Sequence, residues 1–476
     1  MRVRATFALV GMLVGMPTFA ATTPSIERAK EFNAGDNRVS SPPPATELAR
    51  YFPHEWTRYQ ANPDRNAAFR VPADAPPWLK DGVDWRFAAH DSLPLEDDAY
   101  QNDPVNTTQR LGFAVGVSVV DGMVFAGEGA RRVYALDAQT GKEVWAFSAI
   151  NEMMNTPLVA DGLVFAGAGD TGFSFDKVIE FKNGERIARG MGFSGYYALD
   201  KNTGKQVWRF DTKGNAMPGA IYIGHTLYFG TGDGHVYAVE GRSGRLVWKT
   251  DIKGFVSMSS LNALGDLLYV GASNPNFVFA LNRITGKIVW KQTVPGVANT
   301  GMGDNSPAVD ARRRLVIQST VVDANSRDKT NDLAVFAMDA KTGAIKWQRK
   351  LGRGHSPPAY KAGVAMVHGD TVYLGSPVTN KLYALSLDDG SVRWQLPIPD
   401  AGKNGAGRGS PTYYDGKLYF AAVQSLYRID PNTGRIEAQR KLGGRFGIVN
   451  PVIVGGTAYL SNSWGWIMAV PLTSLN

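Results

Sequence analysis

The feature that most restricts the fold of this chain is a twelve-residue unit that recurs along it. Each unit begins with an aromatic residue, Ala, an apolar residue and a polar residue, has Gly at its eighth position, and ends on Trp. Complete copies cover residues 134–145, 197–208, 237–248, 279–290, 336–347 and 383–394, and a copy ending on Ala438 instead of Trp covers 427–438. The turn glycines lie 40 to 63 residues apart, which is the period of one propeller blade, with insertions in two of the intervals.

The residue types inside the unit explain how one blade forms. The stretch Tyr134-Ala135-Leu136-Asp137 reads as a strand buried on both faces, in which the small Ala allows close sheet packing. The polar residue and the Gly that follow are typical of a hairpin turn, in which Gly takes the left-handed conformation. The terminal Trp then begins the outer strand, and we expect its indole to fill the gap between neighbouring blades.

The two ends of the chain are expected to share the last blade. Residues 465–470 read as an eighth inner strand, but the chain ends before an outer strand can follow. Residues 82–87 read as the missing outer strand, far away at the other end of the repeats. The sequence therefore predicts an all-β, eight-bladed propeller over residues 82–476, with four-stranded blades and a last blade closed by N- and C-terminal strands.

The segment before the repeats predicts export. Arg2 and Arg4 precede an apolar run, and small residues around Ala20 and Ala21 suit a signal peptidase, so residues 1–21 are interpreted as a signal peptide. Residues 22–81 are rich in Pro and polar residues and are interpreted as an arm over the propeller. We expect a periplasmic protein with neither a transmembrane anchor, since no later apolar run is long enough, nor a lipid anchor, since no Cys follows the signal.

Composition excludes several kinds of site. The chain has no Cys, which rules out disulfides, thiolate metal sites and covalent haem attachment through CxxCH. The formal net charge is +8, but Lys and Arg are spread thinly, so we expect no nucleic acid partner.

The repeats resemble the PQQ-like repeat family, which includes haem-free quinoprotein alcohol dehydrogenases and the outer-membrane-assembly lipoprotein propeller. Residues 306–310 and the stretch Arg189-Gly190-Met191-Gly192 look more like the dehydrogenase branch. Other dehydrogenase features are missing: the adjacent-cysteine pair, the Trp-Gly-Thr-Gly-Asn and Trp-Asp-x-Asp motifs, and a Thr-Gly-Asn stretch where this chain has Gln318-Ser319-Thr320. The resemblance implies the propeller fold and leaves both an enzyme and a scaffold open.

Candidate site residues lie on loops that enter the innermost strand of each blade, where propellers bind ligands. The family's catalytic residues cannot be matched one by one, so the candidates are chosen by their chemistry. If the chain binds PQQ, Asp304 is the candidate general base and a metal ligand, Asn299 is a second metal ligand, and Ca²⁺ is the candidate metal. The candidate PQQ contacts are Asn305, His355, Arg408, Arg445 and Trp464. Three of these residues also have an interpretation without a ligand. Asp304 can simply form a turn, Arg408 can be a solvated loop residue, and Trp464 can pack between blades.

Two functions follow from these observations. The first is a periplasmic quinoprotein-type oxidoreductase that oxidises an alcohol or a similar small organic substrate with PQQ. The second is a non-catalytic scaffold of the cell envelope that binds partner proteins through its blade loops.

Overall fold

The computed structural model describes residues 35, 37–90, 92–95, 116–129, 131–153, 155–170, 188–190, 192–297, 302–355, 363–401, 409–446 and 450–476. These residues form eight β-sheets arranged as the blades of a propeller, with very little helix. The predicted all-β, eight-bladed fold is confirmed.

The elements are numbered in chain order. Those preceding the repeats are β1 Asn37–Val39, α1 Thr46–Ala49, β2 Ala68–Phe69, α2 Pro77–Asp81 and β3 Trp85–Ala88. Blade 1 contains β4 Val117–Val120, β5 Met123–Glu128, β6 Arg132–Asp137 and β7 Glu143–Ser148. Blade 2 contains β8 Leu158–Ala160, β9 Leu163–Ala168, β10 Ser194–Asp200 and β11 Gln206–Thr212. Blade 3 contains β12 Ile221–Ile223, β13 Thr226–Gly230, β14 His235–Glu240 and β15 Leu246–Asp251. Blade 4 contains β16 Asn262–Leu264, β17 Leu267–Ala272, β18 Phe277–Asn282 and β19 Ile288–Gln292.

The second half of the ring follows the same plan. Blade 5 contains β20 Ala308–Asp310, β21 Leu315–Asn325, β22 Thr330–Asp339 and β23 Ile345–His355. Blade 6 contains β24 Met366–His368, β25 Thr371–Ser376, β26 Lys381–Ser386 and β27 Val392–Pro397. Blade 7 contains β28 Thr412–Tyr414, β29 Lys417–Ile429 and β30 Ile436–Phe446, where β29 supplies both middle strands with Val423 at a left-handed φ of 55° between them. Blade 8 contains β31 Val452–Val454, β32 Thr457–Ser461 and β33 Trp466–Pro471.

Blade 8 is closed from the other end of the chain, as predicted. Strand β3 pairs antiparallel with β33, with Trp85 opposite Ala469 and Ala88 opposite Trp466. Strand β2 also joins this sheet, parallel to β31. The ring therefore has no open seam between its first and last repeats.

Each repeat tryptophan joins its blade to the next one. The indole of Trp248, for example, donates to the carbonyl of Arg283 at 3.0 Å, and a Cβ on Gly286 would lie only 2.7 Å from the indole ring. The same contact recurs at Trp85, Trp145, Trp208, Trp290, Trp347 and Trp394, each against the turn glycine of the following blade. The copy ending on Ala438 has no such turn to meet, because blade 8 receives its outer strand from β3.

The N-terminal arm touches every blade at one end of the ring. Backbone bonds join Pro53 O to Asp121 N, Trp56 to Val159, Thr57 O to Tyr222 N, Pro63 O to Val309 N, Asp64 O to Val367 N and Ala67 O to Ile453 N. Side-chain bonds add Asn262 in blade 4 and Tyr413 in blade 7. Because these contacts lie on the innermost strands or their turns, the arm lies across this end of the central channel.

Arg65 fastens the arm to the ring. Its side chain is fully buried, with a relative exposure of 0%. The guanidinium donates to the carbonyls of Tyr59, Ser260, Leu261 and Pro307 at 2.5 to 3.1 Å. Burial lowers the pKa of Arg65 to about 9, which still leaves the group protonated at neutral pH.

The two α-helices among the described residues are four and five residues long. Neither comes near the length and apolar character that a helix needs to cross a membrane. The predicted signal peptide lies outside the described residues.

Candidate functional site

The end of the ring opposite the arm carries the loops that enter the innermost strands. Since strands alternate in direction, these loops and the turns between the second and third strands of each blade all lie at this end. We call this end the mouth and define it by Glu152, Asn215, Ser257, Asp304 and Asn450. Backbone bonds link its loops across blade boundaries: Asn215 N donates to Arg189 O at 2.8 Å, and Arg189 N donates to Gly232 O at 2.7 Å.

Asp304 lies at the mouth in a short 3₁₀ turn, Met302–Asp304. Its Oδ1 is 3.7 Å from Nη1 of Arg189, and the two side chains are only 13% and 19% exposed. The same Arg189 nitrogen donates to Oγ of Ser257. A carboxylate, a guanidinium and a hydroxyl from three different blade connections therefore meet at one partly buried position.

Neighbouring groups hold the loop that carries Asp304. Nε2 of Gln318 donates to Asn305 O at 2.8 Å, and Nδ2 of Asn305 donates to Ser319 O at 3.1 Å. The Gly303 carbonyl accepts three backbone N–H bonds, from residues 257, 258 and 259. The Gln318-Ser319 stretch, which differs from the dehydrogenase pattern, thus fixes the loop in place, and Asn305 serves the same purpose from a fully buried position.

A second titratable group, the carboxyl of Glu152, lies at the mouth between blades 1 and 2. Burial, with a further contribution from Asp170, raises the pKa of Glu152 to about 8, and Arg131 partly opposes this rise. Asp170 is linked to the neighbouring loop, because Nδ2 of Asn215 donates to its carbonyl at 3.1 Å. Glu152 is therefore largely protonated at neutral pH and can give up or accept a proton in that range.

The other predicted site residues are scattered. Arg445 is 5% exposed at the end of β30. Trp464 is fully buried in an apolar cluster between blades, which agrees with the packing alternative. His355 is exposed at the end of β23, opposite Thr330 and on the outermost strand of blade 5. Asn299 and Arg408 lie outside the described residues.

The described residues fit neither the expected metal nor the expected stacked quinone. Asp304 is paired with a cation, which disfavours a second cation on the same carboxylate, and no group of three or more His, Asp or Glu in the described ranges could hold a metal. The indole of Trp464 is covered by apolar neighbours and presents no open face to a flat ligand. The binding of PQQ and Ca²⁺ by this chain therefore remains a prediction made from the sequence.

A polar cavity of about 570 Å³ lies away from the mouth, at the arm end of blade 7. Lys417 and Arg428 line it together with Glu437, which is 2.6 Å from the lysine and 3.6 Å from the arginine. The loops that enter the innermost strands meet at the mouth and not at this cavity, so the mouth offers the stronger candidate site.

Comparison with known proteins places the chain in a family. A sequence model of a protein family, described as outer membrane protein assembly factor BamB, matches residues 81–187, 193–274 and 258–474 of this chain. This match confirms the PQQ-like repeats. A tetrathionate hydrolase from Acidithiobacillus ferrooxidans is 41% identical over 440 residues, covering 89% of this chain and 87% of that protein. The chain belongs to the tetrathionate hydrolase family of PQQ-like repeat propellers. A tetrathionate hydrolase from Acidianus ambivalens is 33% identical over 462 residues, covering 89% of this chain and 85% of that protein.

Solved structures support the fold. A quinohemoprotein alcohol dehydrogenase from Pseudomonas putida matches with a TM-score of 0.53 at 14% identity, over 82% of this chain and 78% of that one. At this identity the likeness concerns the propeller alone.

Arg189 is the site residue that sequence reasoning did not select. It stands in an insertion that the sequence did single out, Arg189-Gly190-Met191-Gly192. An Arg followed closely by two glycines, in an insertion at the ligand end of a blade, is a signal that could have nominated it. Its partner Asp304 is 115 positions further along the chain, so the pairing itself depends on how the ring closes.

Proposed function

We propose that this protein hydrolyses tetrathionate, or a closely similar polythionate dianion, at the mouth of the propeller. The observation that carries the proposal is the 41% identity, along most of both chains, with a protein named for that reaction. The geometry is compatible with it, since the Arg189–Asp304 pair places a base and an anion-binding cation side by side.

The chemistry needs only water and the substrate. In the proposed step the Asp304 carboxylate takes a proton from water. The water oxygen forms a bond to one of the two sulfur atoms of the central S–S bond of tetrathionate. That bond breaks, and its electron pair leaves with the other half as thiosulfate, while the attacked half becomes a hydroxylated sulfane sulfonate. No electrons are exchanged with any cofactor.

Arg189 has the complementary role. A dianion entering a site that contains a carboxylate is repelled unless a cation offsets the charge. The guanidinium is 3.7 Å from Asp304 and also bonded to Ser257, so its direction is set before substrate arrives. We propose that it binds a terminal sulfonate of the substrate.

The test is turnover of tetrathionate by the purified chain, followed by loss of tetrathionate and appearance of thiosulfate. Asp304→Asn keeps the shape but removes the base, so we expect kcat to fall by about 10²-fold or more with KM little changed. Asp328→Asn, at an exposed turn of blade 5, is the matched control and should be as active as wild type. Wild-type protein without any turnover, or an unaffected Asp304→Asn variant, would refute the proposal.

The two functions expected from the repeats alone, a PQQ-dependent oxidoreductase and an envelope scaffold, predict different results in binding and activity assays. A PQQ-dependent oxidoreductase should bind PQQ in a calorimetric titration with Ca²⁺ and reduce a dye in the presence of an alcohol. An envelope scaffold should show neither activity and should retain a protein partner. We favour hydrolysis because the relatives that match most of this chain at above 30% identity are named for it, and we propose a periplasmic location from the signal-like residues 1–21.

A further inference from the structure

The outer strands of three successive blades expose aliphatic side chains. Val207, Val247 and Val289, each just before a docking tryptophan, are 52%, 48% and 50% exposed. In blade 1 the equivalent Val144 is 1% exposed. In the other blades the equivalent residues are charged: Lys346, Arg393, Glu437 and Asp84. Uncovered valine at this position is thus confined to blades 2, 3 and 4.

Further apolar residues are exposed near these valines. Trp248 of blade 3 packs on Gly286 of blade 4, which brings the neighbouring turn residue Ile284, 59% exposed, beside the outer strand of blade 3. Leu246 and Ile288 are also 40% and 41% exposed. We call the six residues Val207, Leu246, Val247, Ile284, Ile288 and Val289 the rim patch. Aliphatic side chains exposed side by side on an unpaired strand edge favour a binding partner.

Cations flank the rim patch. Lys205 and Arg209, Arg245 and Lys249, and Lys287 and Lys291 stand on either side of the three valines, and all six are exposed. Of these, Arg209 is paired with Asp211 at 2.9 Å, whereas Lys249 and Lys287 form no ion pair with any described residue. The patch is therefore apolar and positively charged at once, and a negatively charged apolar partner complements it.

Blade 1 shows how such an edge is covered. Strand β1 pairs antiparallel with the outer strand β7, placing Arg38 opposite Ala146 and Val39 opposite Trp145. Arg38 also binds Glu143 on the same edge, with Nη2 to Oε2 at 2.7 Å. This added strand accounts for the burial of Val144, whose carbonyl accepts bonds from residues 40 and 41.

The position opposite Arg38 is uncharged in blade 1 but cationic in blades 2, 3 and 4. The residues equivalent to Ala146, directly opposite the position of Arg38, are Arg209, Lys249 and Lys291. A strand with Arg at that position would be repelled there, whereas one with Asp or Glu would be attracted. Lysine on an edge also discourages pairing with a second cationic edge.

We propose that each of the outer edges of blades 2 to 4 can bind an extended segment of a partner protein in which apolar and acidic residues alternate. The segment adds as a further antiparallel strand, in the manner of β1 on blade 1. A strand is favoured over an anionic lipid surface because β11, β15 and β19 are each the last strand of their sheet in the described chain. Their outward backbone groups can be satisfied by another strand, which a lipid surface does not provide.

The chain itself supplies a matched pair of probes. The first is a synthetic peptide of residues 35–41 carrying Arg38→Glu, and the second is the unmodified peptide. We expect the Arg38→Glu peptide to bind the full chain about five-fold or more tightly than the unmodified one, measured by fluorescence anisotropy. Hydrogen–deuterium exchange should show added protection in β11, β15 and β19.

Charge reversal on the protein provides the decisive comparison. In a Lys249→Glu, Lys291→Glu variant the unmodified peptide should bind better than the Arg38→Glu peptide. A control variant, Lys346→Glu with Arg393→Glu on blades 5 and 6, should keep the wild-type preference.

Two results would overturn the proposal. One is equal binding of the two peptides, or their binding without protection of these strands. The other is that neither peptide binds, while phosphatidylglycerol vesicles bind the wild-type chain but not the Lys249→Glu, Lys291→Glu variant. In that case these edges would bind a lipid surface. Neither result bears on tetrathionate turnover.

Discussion

Replacing Arg65 by Met should destabilise the whole ring, because this side chain joins the arm to the residues that immediately precede the innermost strands of two blades. The guanidinium makes its bonds to four buried carbonyls: those of Tyr59, Ser260, Leu261 and Pro307. A buried acceptor left without its donor costs about 1–3 kcal/mol, which would give about 4–12 kcal/mol for four. Removing a buried charge recovers part of its desolvation cost, so we expect a net loss of about 3–5 kcal/mol.

The matched control is Arg70→Met on the same arm. Arg70 and its partner Asp415 are 3.0 Å apart but have side chains 73% and 71% exposed, and an exposed pair of this kind contributes about 0–1 kcal/mol. Differential scanning calorimetry should show a Tm lower by roughly 5 °C for Arg65→Met and almost no change for Arg70→Met. Equal melting temperatures for the two variants would show that the arm is not fastened through Arg65.

Three further predictions concern the ring and the mouth. Trp208→Ala should lower the free energy of unfolding by about 3–5 kcal/mol, whereas Trp208→Phe should lose mainly the 2.8 Å bond to Gly241 O; urea unfolding that does not separate the two would contradict the docking role. Deleting residues 82–90 should remove β3 and lower the Tm of the entire propeller, and an unchanged calorimetric Tm would disprove closure through this strand. Because the pKa of Glu152 is raised to about 8 from the usual ~4.3, the folded state binds this proton more tightly, so stability should fall as pH rises from about 4.5 to 8, by at most ~1.4 kcal/mol per pH unit. Glu152→Gln should remove that slope, being equal to wild type at pH 4 and more stable at pH 8 in thermal melts; parallel curves for the two proteins would contradict the raised pKa.

The fold was predictable because its determinants are local and repeated. Turn glycines at regular intervals, such as Gly244 and Gly286, and strands buried on both faces define each blade within about 45 residues. Closure was predictable for a related reason: a ring made of equivalent units leaves one outer strand missing at the C-terminus, and residues 82–87 are the stretch that resembles it. The Ala at 438 follows the same logic, since only a blade with a following turn needs the docking tryptophan.

The site depended on tertiary structure. Asp304 was selected from its position in a loop that enters an innermost strand, but its partner Arg189 comes from an insertion in blade 2, and only the curvature of the ring brings the two together. Burial also decided between alternatives that the sequence left open: Trp464 is packed between blades, and His355 is exposed on an outer strand. Residue type and local period specify which strands form, whereas the distance between side chains from different blades, and their exposure to water, are set by the closed ring and by the arm that crosses it.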